Sequence, residues 1–310
     1  MSTGDHPEAP LGTATEVAEG VFAYVQPDGT WWINNTGFVV GRNRVTAVDA
    51  CATERRTRAF LDTIRGVTSA PVRTLINTHH HGDHTYGNYL FEEATIVAHE
   101  RAREAMLGFG NPFSAPFWTP IQWGDMELVP PFLTFPDRIT HYVDDLRIEV
   151  IHPGTPGHTT NDSVLWIPEH KVAFTGDLVF NGGTPFLLMG SPAGALECLA
   201  MIRELGATTL VPGHGPVCGP EVLDGIEEYI HFVVEQATAG MSAGLTPLEV
   251  ARDLDLGEFG NLTDPERIVG NLYRAYAELG GAERGTVIDM RAALTDMVAY
   301  NGGKPLTCHA

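Results

Sequence analysis

The densest chemistry in the chain is the stretch Asn77-Thr78-His79-His80-His81-Gly82-Asp83-His84, where His79, His81, Asp83 and His84 put four potential metal ligands within six residues. Imidazole nitrogen and carboxylate oxygen suit Zn²⁺ first, with Fe or Mn as alternatives. Alternate residues of an extended segment point the same way, so His79 and His81 can grip one cation. Gly82 eases the bend that lets Asp83 and His84 reach a second one beside it. His80 falls on the opposite face and is expected behind the ligands or at the surface. Two adjacent divalent cations acidify water, from a pKa of about 15.7 toward about 7, and polarise a carbonyl. Such a site needs no serine or cysteine nucleophile.

Three further segments look like completing partners: Pro156-Gly157-His158-Thr159, Thr175-Gly176-Asp177 and Val211-Pro212-Gly213-His214-Gly215. Each lies where a strand gives way to a loop, the place where a sheet protein converges side chains on one rim. A lone histidine is more often a hydrogen-bonded structural residue, which is the reading given to His141, His152, His170, His231 and His309. The cluster and the three segments together point to a dinuclear site.

The elements that must carry these residues repeat one grammar. Apolar runs at 21–25, 31–40 and 44–49 read as strands, with a Pro27-Asp28-Gly29 turn and an acid closing the third run. Residues 53–65 read as a helix with Thr53 as N-cap, followed by a buried strand at 73–77. The second half has strands at 146–151, 164–167, 171–175 and 209–211 and a helix at 193–205. Strand pairs alternating with helices, twice over, predict an α/β (α+β) fold of two packed sheets with helices outside. Beyond Pro220 helices are expected at 222–239, after Thr246-Pro247, after Asp264-Pro265 and at 286–300. The expected organisation is a loose arm at 1–13, a catalytic region at 14–220 and a helical region at 221–310 packed on it. An aromatic and proline-rich insert at about 105–140 has no clean period and reads as a lid, a binding loop or a satellite core. Phe113, Phe117 and Trp118 in this insert, and Phe186 just beyond Asp177, are the candidate substrate contacts, because flat rings stack on aromatic faces. The run through Leu187, Leu188 and Met189 reads as an extension of that wall or as plain core.

Of 310 residues, 39 are acidic and 19 basic, for a net charge of −20, and Lys171 and Lys304 are the only lysines. Such a chain repels phosphate backbones, so no nucleic-acid partner is expected. No apolar run reaches the roughly 18–20 residues of a membrane span. The start of the sequence shows neither a basic n-region nor an apolar h-region, so no signal peptide and a cytoplasmic location are expected. Cys51, Cys198, Cys218 and Cys308 are scattered and read as free thiols. Nothing in the sequence speaks to an oligomeric state.

The His-x-His-x-Asp-His stretch at 79–84, with Gly157-His158, Gly176-Asp177 and Gly213-His214-Gly215, resembles the metallo-β-lactamase superfamily. The resemblance covers about 17–217 and implies a four-layer αββα sandwich with the metals at one edge. It implies that His79, His81 and His158 hold one ion, that Asp83, His84 and His214 hold the other, and that Asp177 bridges both, with Asp83 and Asp177 serving the reaction. By the same resemblance, glyoxalase II-like thioesterases and lactonases carry an acid at the Asp177 position. The exported β-lactamases do not, so antibiotic hydrolysis is disfavoured. Nucleic-acid-cleaving and flavo-diiron members carry extra domains of which no sign is seen.

The helices after the metal core, Trp123-Gly124-Asp125, and the tail Ala299-Tyr300-Asn301-Gly302-Gly303-Lys304-Pro305-Leu306-Thr307-Cys308 are similar to second-ring cyclases of bacterial aromatic polyketide pathways. That similarity implies a zinc-dependent intramolecular aldol closure with dehydration, with thioester hydrolysis available at the same metals. The alternatives are a glyoxalase II- or lactonase-like hydrolase of thioesters or lactones, and an inactive metal-binding scaffold. The implied partner is a small aromatic, polyketide-like or thioester substrate, free or delivered on a carrier protein. Docking an acidic carrier would need clustered arginines, for which Arg101 with Arg103, or Arg55, Arg56 and Arg58, are the candidates.

Overall fold

The computed structural model describes residues 9–109 and 117–310. Strand alternation builds its layers. In β4 (Val45–Val48) the side chains of Val45 and Ala47 pack outward under a helix, while Val48 faces the other sheet. In β10 (Val164–Ile167), Val164 and Trp166 face outward and Leu165 and Ile167 inward. One sheet runs β1 (Thr13–Ala18), β2 (Val21–Val25), β3 (Thr36–Val40), β4, β5 (Val72–Ile76), β6 (Thr95–His99) and β7 (Leu133–Phe135), in that order. It is antiparallel up to β4 and parallel beyond. The other sheet runs β12 (Thr209–His214), β11 (Val172–Phe180), β10, β9 (Leu146–Ile151) and β8 (Arg138–Val143). The two inner faces meet through Val39, Val48, Ile76, Val150, Leu165 and Phe174.

Helices cover both outer faces, giving the expected four layers. Helix α1 (Glu54–Val67) is capped by the Thr53 hydroxyl, which accepts from the Arg56 N–H, and it buries Phe60, Leu61 and Ile64 on the first sheet. Between β5 and β6 lies the short α2 (Gly82–Thr85), and after β6 comes α3 (Glu100–Phe109). Helix α4 (Pro192–Leu205), with Ser191 as N-cap and Pro192 in its first turn, covers the second sheet together with α5 (Val222–Ala243). Helices α6 (Pro247–Asp253), α7 (Arg267–Leu279) and α8 (Met290–Tyr300) enclose one further apolar cluster with α5, which also takes in Trp31, Phe180, Phe186 and Leu188. Among the described residues no helix is long and apolar enough to cross a membrane, and the four cysteines are free.

Several expectations are corrected. The run at 31–40 pairs as a strand only from Thr36; Trp31 to Asn35 form a loop, with Trp32 at φ 67°. The two ends of the insert are regular, since its start belongs to α3 and its end to β7 and β8. The irregular described part is 117–132. Residues 9–12 are no loose arm: the Ala9 N–H donates to the His309 carbonyl, and the Ala9 and Pro10 carbonyls accept from the Arg56 guanidinium. Arg56 is wholly buried, so it offers nothing to a docking partner. Phe113 lies outside the described residues.

Candidate metal centre

The ligand candidates converge at the edge where β5, β11 and β12 end. His79 lies in a bend just after β5, His81 has extended dihedrals immediately before α2, and Asp83 and His84 sit on α2. His158 follows β9 in the 152–163 loop. There the Asp162 carboxylate accepts from the N–H groups of Gly157 and Thr159 and from the Thr159 hydroxyl. Asp177 rides on β11 where its register with β12 shifts around Gly176. Gly213 must be glycine, since a Cβ there would meet Asp177 Oδ1 at 1.9 Å.

Two overlapping sets of ligand atoms result, each spanning no more than 4.8 Å: His79, His81, His158 and Asp177, and Asp83, His84, Asp177 and His214. Asp177 stands between them, with Oδ1 3.0 Å from His84 Nε2 and Oδ2 3.3 and 3.4 Å from the Nε2 atoms of His158 and His214. His81 presents Nδ1, 2.8 Å from His158 Nε2, and its Nε2 meets the Met189 sulfur. His79 Nε2, His84 Nε2 and Asp177 Oδ1 are buried without a hydrogen bond, although two of these atoms lie 3.0 Å apart. His79 Nε2 belongs to the first set, His84 Nε2 to the second and Asp177 to both, and buried polar atoms left without a partner are what a bound cation would satisfy. The donor set, imidazoles and carboxylates only, fits two Zn²⁺-like ions.

Three of the five imidazoles are oriented from behind by an acceptor, which sets the tautomer. His158 Nδ1 donates to the Phe186 carbonyl (2.5 Å), His214 Nδ1 to the Gly29 carbonyl (3.1 Å) and His84 Nδ1 to Asp49 Oδ2 (2.8 Å). Asp49 also accepts from the Thr78 N–H and hydroxyl. Burial pushes this acid up, but three donors on its two oxygens leave little room for a proton. Burial, then the neighbouring imidazoles, hold His79 and His81 well below their usual range, in the neutral form that ligates. Burial opposes charge on Asp177, yet His214, His84 and His158 outweigh it and keep the carboxyl well below its usual range. Burial likewise opposes charge on His84 and His214, but the surrounding acids win. They raise His84 well above its ordinary value and His214 to about 9. That side of the site draws positive charge.

A cavity of about 190 Å³ opens onto the ligands, walled by Trp31, Trp32, Trp118, Phe180 and Phe186. Trp118 and Phe186 were expected there; Phe117 does not line it and instead packs its ring edge-on against Trp118. Met189 lines the cavity, whereas Leu187 and Leu188 go into the cores. His80 is buried, with its N–H on Asn161 Oδ1. Sequence reasoning missed Asp49, whose signal was the acid ending a β-branched run, and Trp31 and Trp32, which it took for strand. It also assigned no site role to Arg267, Met290 and Leu294, which reach the cavity from α7 and α8.

Residues 29–214 match the family model described as Metallo-beta-lactamase superfamily. A Caenorhabditis elegans protein named Beta-lactamase-like protein 2 homolog is 26% identical over 175 residues, 55% of this chain and 51% of its own length. A Hydroxyacylglutathione hydrolase of Rhodospirillum rubrum is 31% identical over 150 residues, 47% of each chain. The chain thus spans about half the length of these curated relatives. A solved structure, Metallo-beta-lactamase from Pontibacter korlensis, superposes on 71% of this chain and 99% of its own, with a TM-score of 0.58 and 19% identity, a likeness of fold.

Proposed function

Because the chain belongs to the metallo-β-lactamase superfamily, we propose that it is a dinuclear, zinc-type enzyme acting on the carbonyls of a flat, apolar substrate. Its reaction is that of a polyketide second-ring cyclase, an aldol closure with dehydration, with thioester hydrolysis available at the same site. The observation that carries the substrate class is the lining of the cavity. Among the described residues its one arginine or lysine is Arg267, and that side chain has its charge paired. It donates to the Thr184 carbonyl, pairs with Asp264 at 2.8 Å and lies over the Trp31 ring at 4.2 Å. Apart from the ligand candidates, Thr85 and the leucines Leu128 and Leu294, the wall offers mainly rings and thioethers, which pack on flat apolar rings.

His79, His81 and His158 would hold one cation, Asp83, His84 and His214 the other, and Asp177 both; when bound, the pair acidifies water and polarises a carbonyl. Asp83 borders the cavity, and its carboxylate is placed to take a proton from water in hydrolysis, or from the carbon beside a carbonyl in ring closure. Asp177 sets the separation of the two ligand groups. Trp31, Trp118 and Phe186 orient the substrate and exclude bulk water.

The second reading, a thioester hydrolase, is supported by the relative named hydroxyacylglutathione hydrolase. A glutathione thioester carries two carboxylates, for which this cavity has no free arginine or lysine among the described residues. Metal-loaded protein should close a ring on a partially cyclised aromatic poly-β-ketone thioester mimic, with kcat/KM at least about tenfold above that for a hydroxyacyl-glutathione, a margin of about 1.4 kcal/mol. Turnover of the glutathione thioester alone would favour the second reading, and bound metal without turnover of either would leave an inactive scaffold.

A further inference from the structure

Arg267, Asn271 and Arg274 stand at i, i+4 and i+7 on α7, so they share one face of that helix. All three are buried. Arginine is seldom buried without a purpose, and here most of the partners belong to the backbone of one short segment, 184–188; the others are the Asp264 carboxylate for Arg267, the Tyr229 hydroxyl for Asn271 and the Thr286 carbonyl for Arg274. Arg267 Nη1 donates to the Thr184 carbonyl (3.0 Å). Asn271 Nδ2 donates to the Pro185 carbonyl (2.8 Å), and Asn271 Oδ1 accepts from the Leu187 N–H (2.7 Å). Arg274 donates twice to the Leu188 carbonyl (3.0 and 2.8 Å). Four of five consecutive residues therefore give a backbone polar group to α7. The fifth, Phe186, gives its carbonyl to His158 Nδ1. Its ring is pressed from the same side, since a Cβ on Gly270 would meet Phe186 Cε2 at 2.9 Å.

We propose that this face of α7 is a positioning device for the metal centre, with Asn271 as its key residue. By fixing the 184–188 backbone it aims the Phe186 carbonyl at His158, keeps the proton on Nδ1, and leaves the Nε2 lone pair for the cation shared with His79 and His81. This inference rests on the reading of the site as metal-binding. It extends that reading to the helical region, which lies outside the residues that the family model matches. Arg267 also lies over Phe180, whose ring stacks on His214; Asn271 bonds neither Asp49 nor Gly29, the partners behind His84 and His214, so its own effect is confined to one of the two metal positions.

The test is metal release. Wild type and Asn271→Leu, each loaded with two equivalents of Zn²⁺, are equilibrated with chelators of graded strength, and bound metal is counted. Losing a partner behind a ligating histidine typically weakens metal binding about 10–100-fold. One ion of the variant is expected to leave at an affinity lower by that factor, while the other stays as in wild type. Histidine ¹⁵N spectra should show His158 losing its fixed Nδ1 proton. Asn271→Asp, which keeps the acceptor for Leu187 but loses the donor for Pro185, repeats the measurement should the leucine variant fail to fold. Val250→Ala, which trims the α6–α7 core, controls for stability: it should lower Tm and leave both affinities alone. If the Asn271 variants hold both ions as wild type does, or lose both equally and in step with Val250→Ala, the positioning role is overturned. A wild type that takes up no divalent metal would overturn the metal reading itself, and this inference with it.

Discussion

Replacing Asp49 by asparagine exchanges one carboxylate oxygen for an NH₂ and should weaken one metal position selectively. Asp49 Oδ1 accepts from the Thr78 N–H at 2.7 Å, and Oδ2 accepts from the Thr78 hydroxyl and from His84 Nδ1, both at 2.8 Å. In Asp49→Asn the amide oxygen must face the Thr78 N–H, because a backbone donor cannot reverse. The NH₂ then faces His84 Nδ1. The Thr78 hydroxyl can rotate and accept, but His84 has two options. It can move its proton to Nε2, the atom that faces Asp177 and the cation, and stop ligating. Alternatively, it can keep the proton on Nδ1 and leave two buried donors opposed, at a cost of about 1–3 kcal/mol. The cheaper option sets the loss, and 1–3 kcal/mol corresponds to roughly 5- to 150-fold in affinity. Chelator competition on two-zinc protein should show that loss for the ion held by Asp83, His84 and His214, with the other ion little changed. In the zinc-loaded variant the ¹⁵N spectrum should show the single His84 proton moved from Nδ1 to Nε2. Unchanged affinity with His84 still protonated at Nδ1 would refute the claim that Asp49 sets the tautomer.

Asp177→Ala removes the one carboxylate shared by both ligand sets; the variant should fold, yet elemental analysis should find fewer than two ions, and full two-metal content would take Asp177 out of the site. Trp118→Ala should raise KM for a polycyclic substrate about 2–10-fold, the value of one aromatic contact of about 0.5–1.5 kcal/mol, with a smaller effect on a small thioester. Phe117→Ala, one residue away but off the cavity wall, should do much less, and equal effects from the two would argue against the cavity as the substrate site.

The metal cluster was legible because its first four ligands are close in sequence and their spacing maps directly onto an extended segment and a turn. β4 and β10 were legible for another reason: both faces of each are buried, which leaves a short run that is mostly apolar. β8 was not. It is an edge strand reading Arg138-Ile139-Thr140-His141-Tyr142-Val143, half exposed along its length, and its polar face resembled a loop. Phe117 and Trp118 looked equivalent because both are aromatic in an aperiodic stretch. Which one faces the cavity is set by a long-range pairing, in which the Leu306 N–H donates to the Phe117 carbonyl and the Thr119 N–H to the Leu306 carbonyl. No local pattern encodes that partner. Arg56, Arg267 and Arg274 were illegible for a deeper reason. Their partners are largely backbone carbonyls, and a carbonyl leaves no trace in the identity of its residue.

The boundary between legible and illegible also divides the chemistry. The family match ends at residue 214, and every ligand candidate lies within it. The cavity does not end there: Arg267, Met290 and Leu294 complete its wall from the helical region, and the core that buries Trp31, Phe180 and Phe186 is shared with α5 to α8. A relative that keeps the seven ligands therefore keeps the means of binding metal, while what is offered to those metals depends on residues the match does not reach. Membership of the superfamily carries across the fold and its ligand set, and leaves the reaction a proposal. The substrate has to be argued from Trp31, Trp118, Phe186 and the helices behind them, and those rings favour a flat, uncharged one.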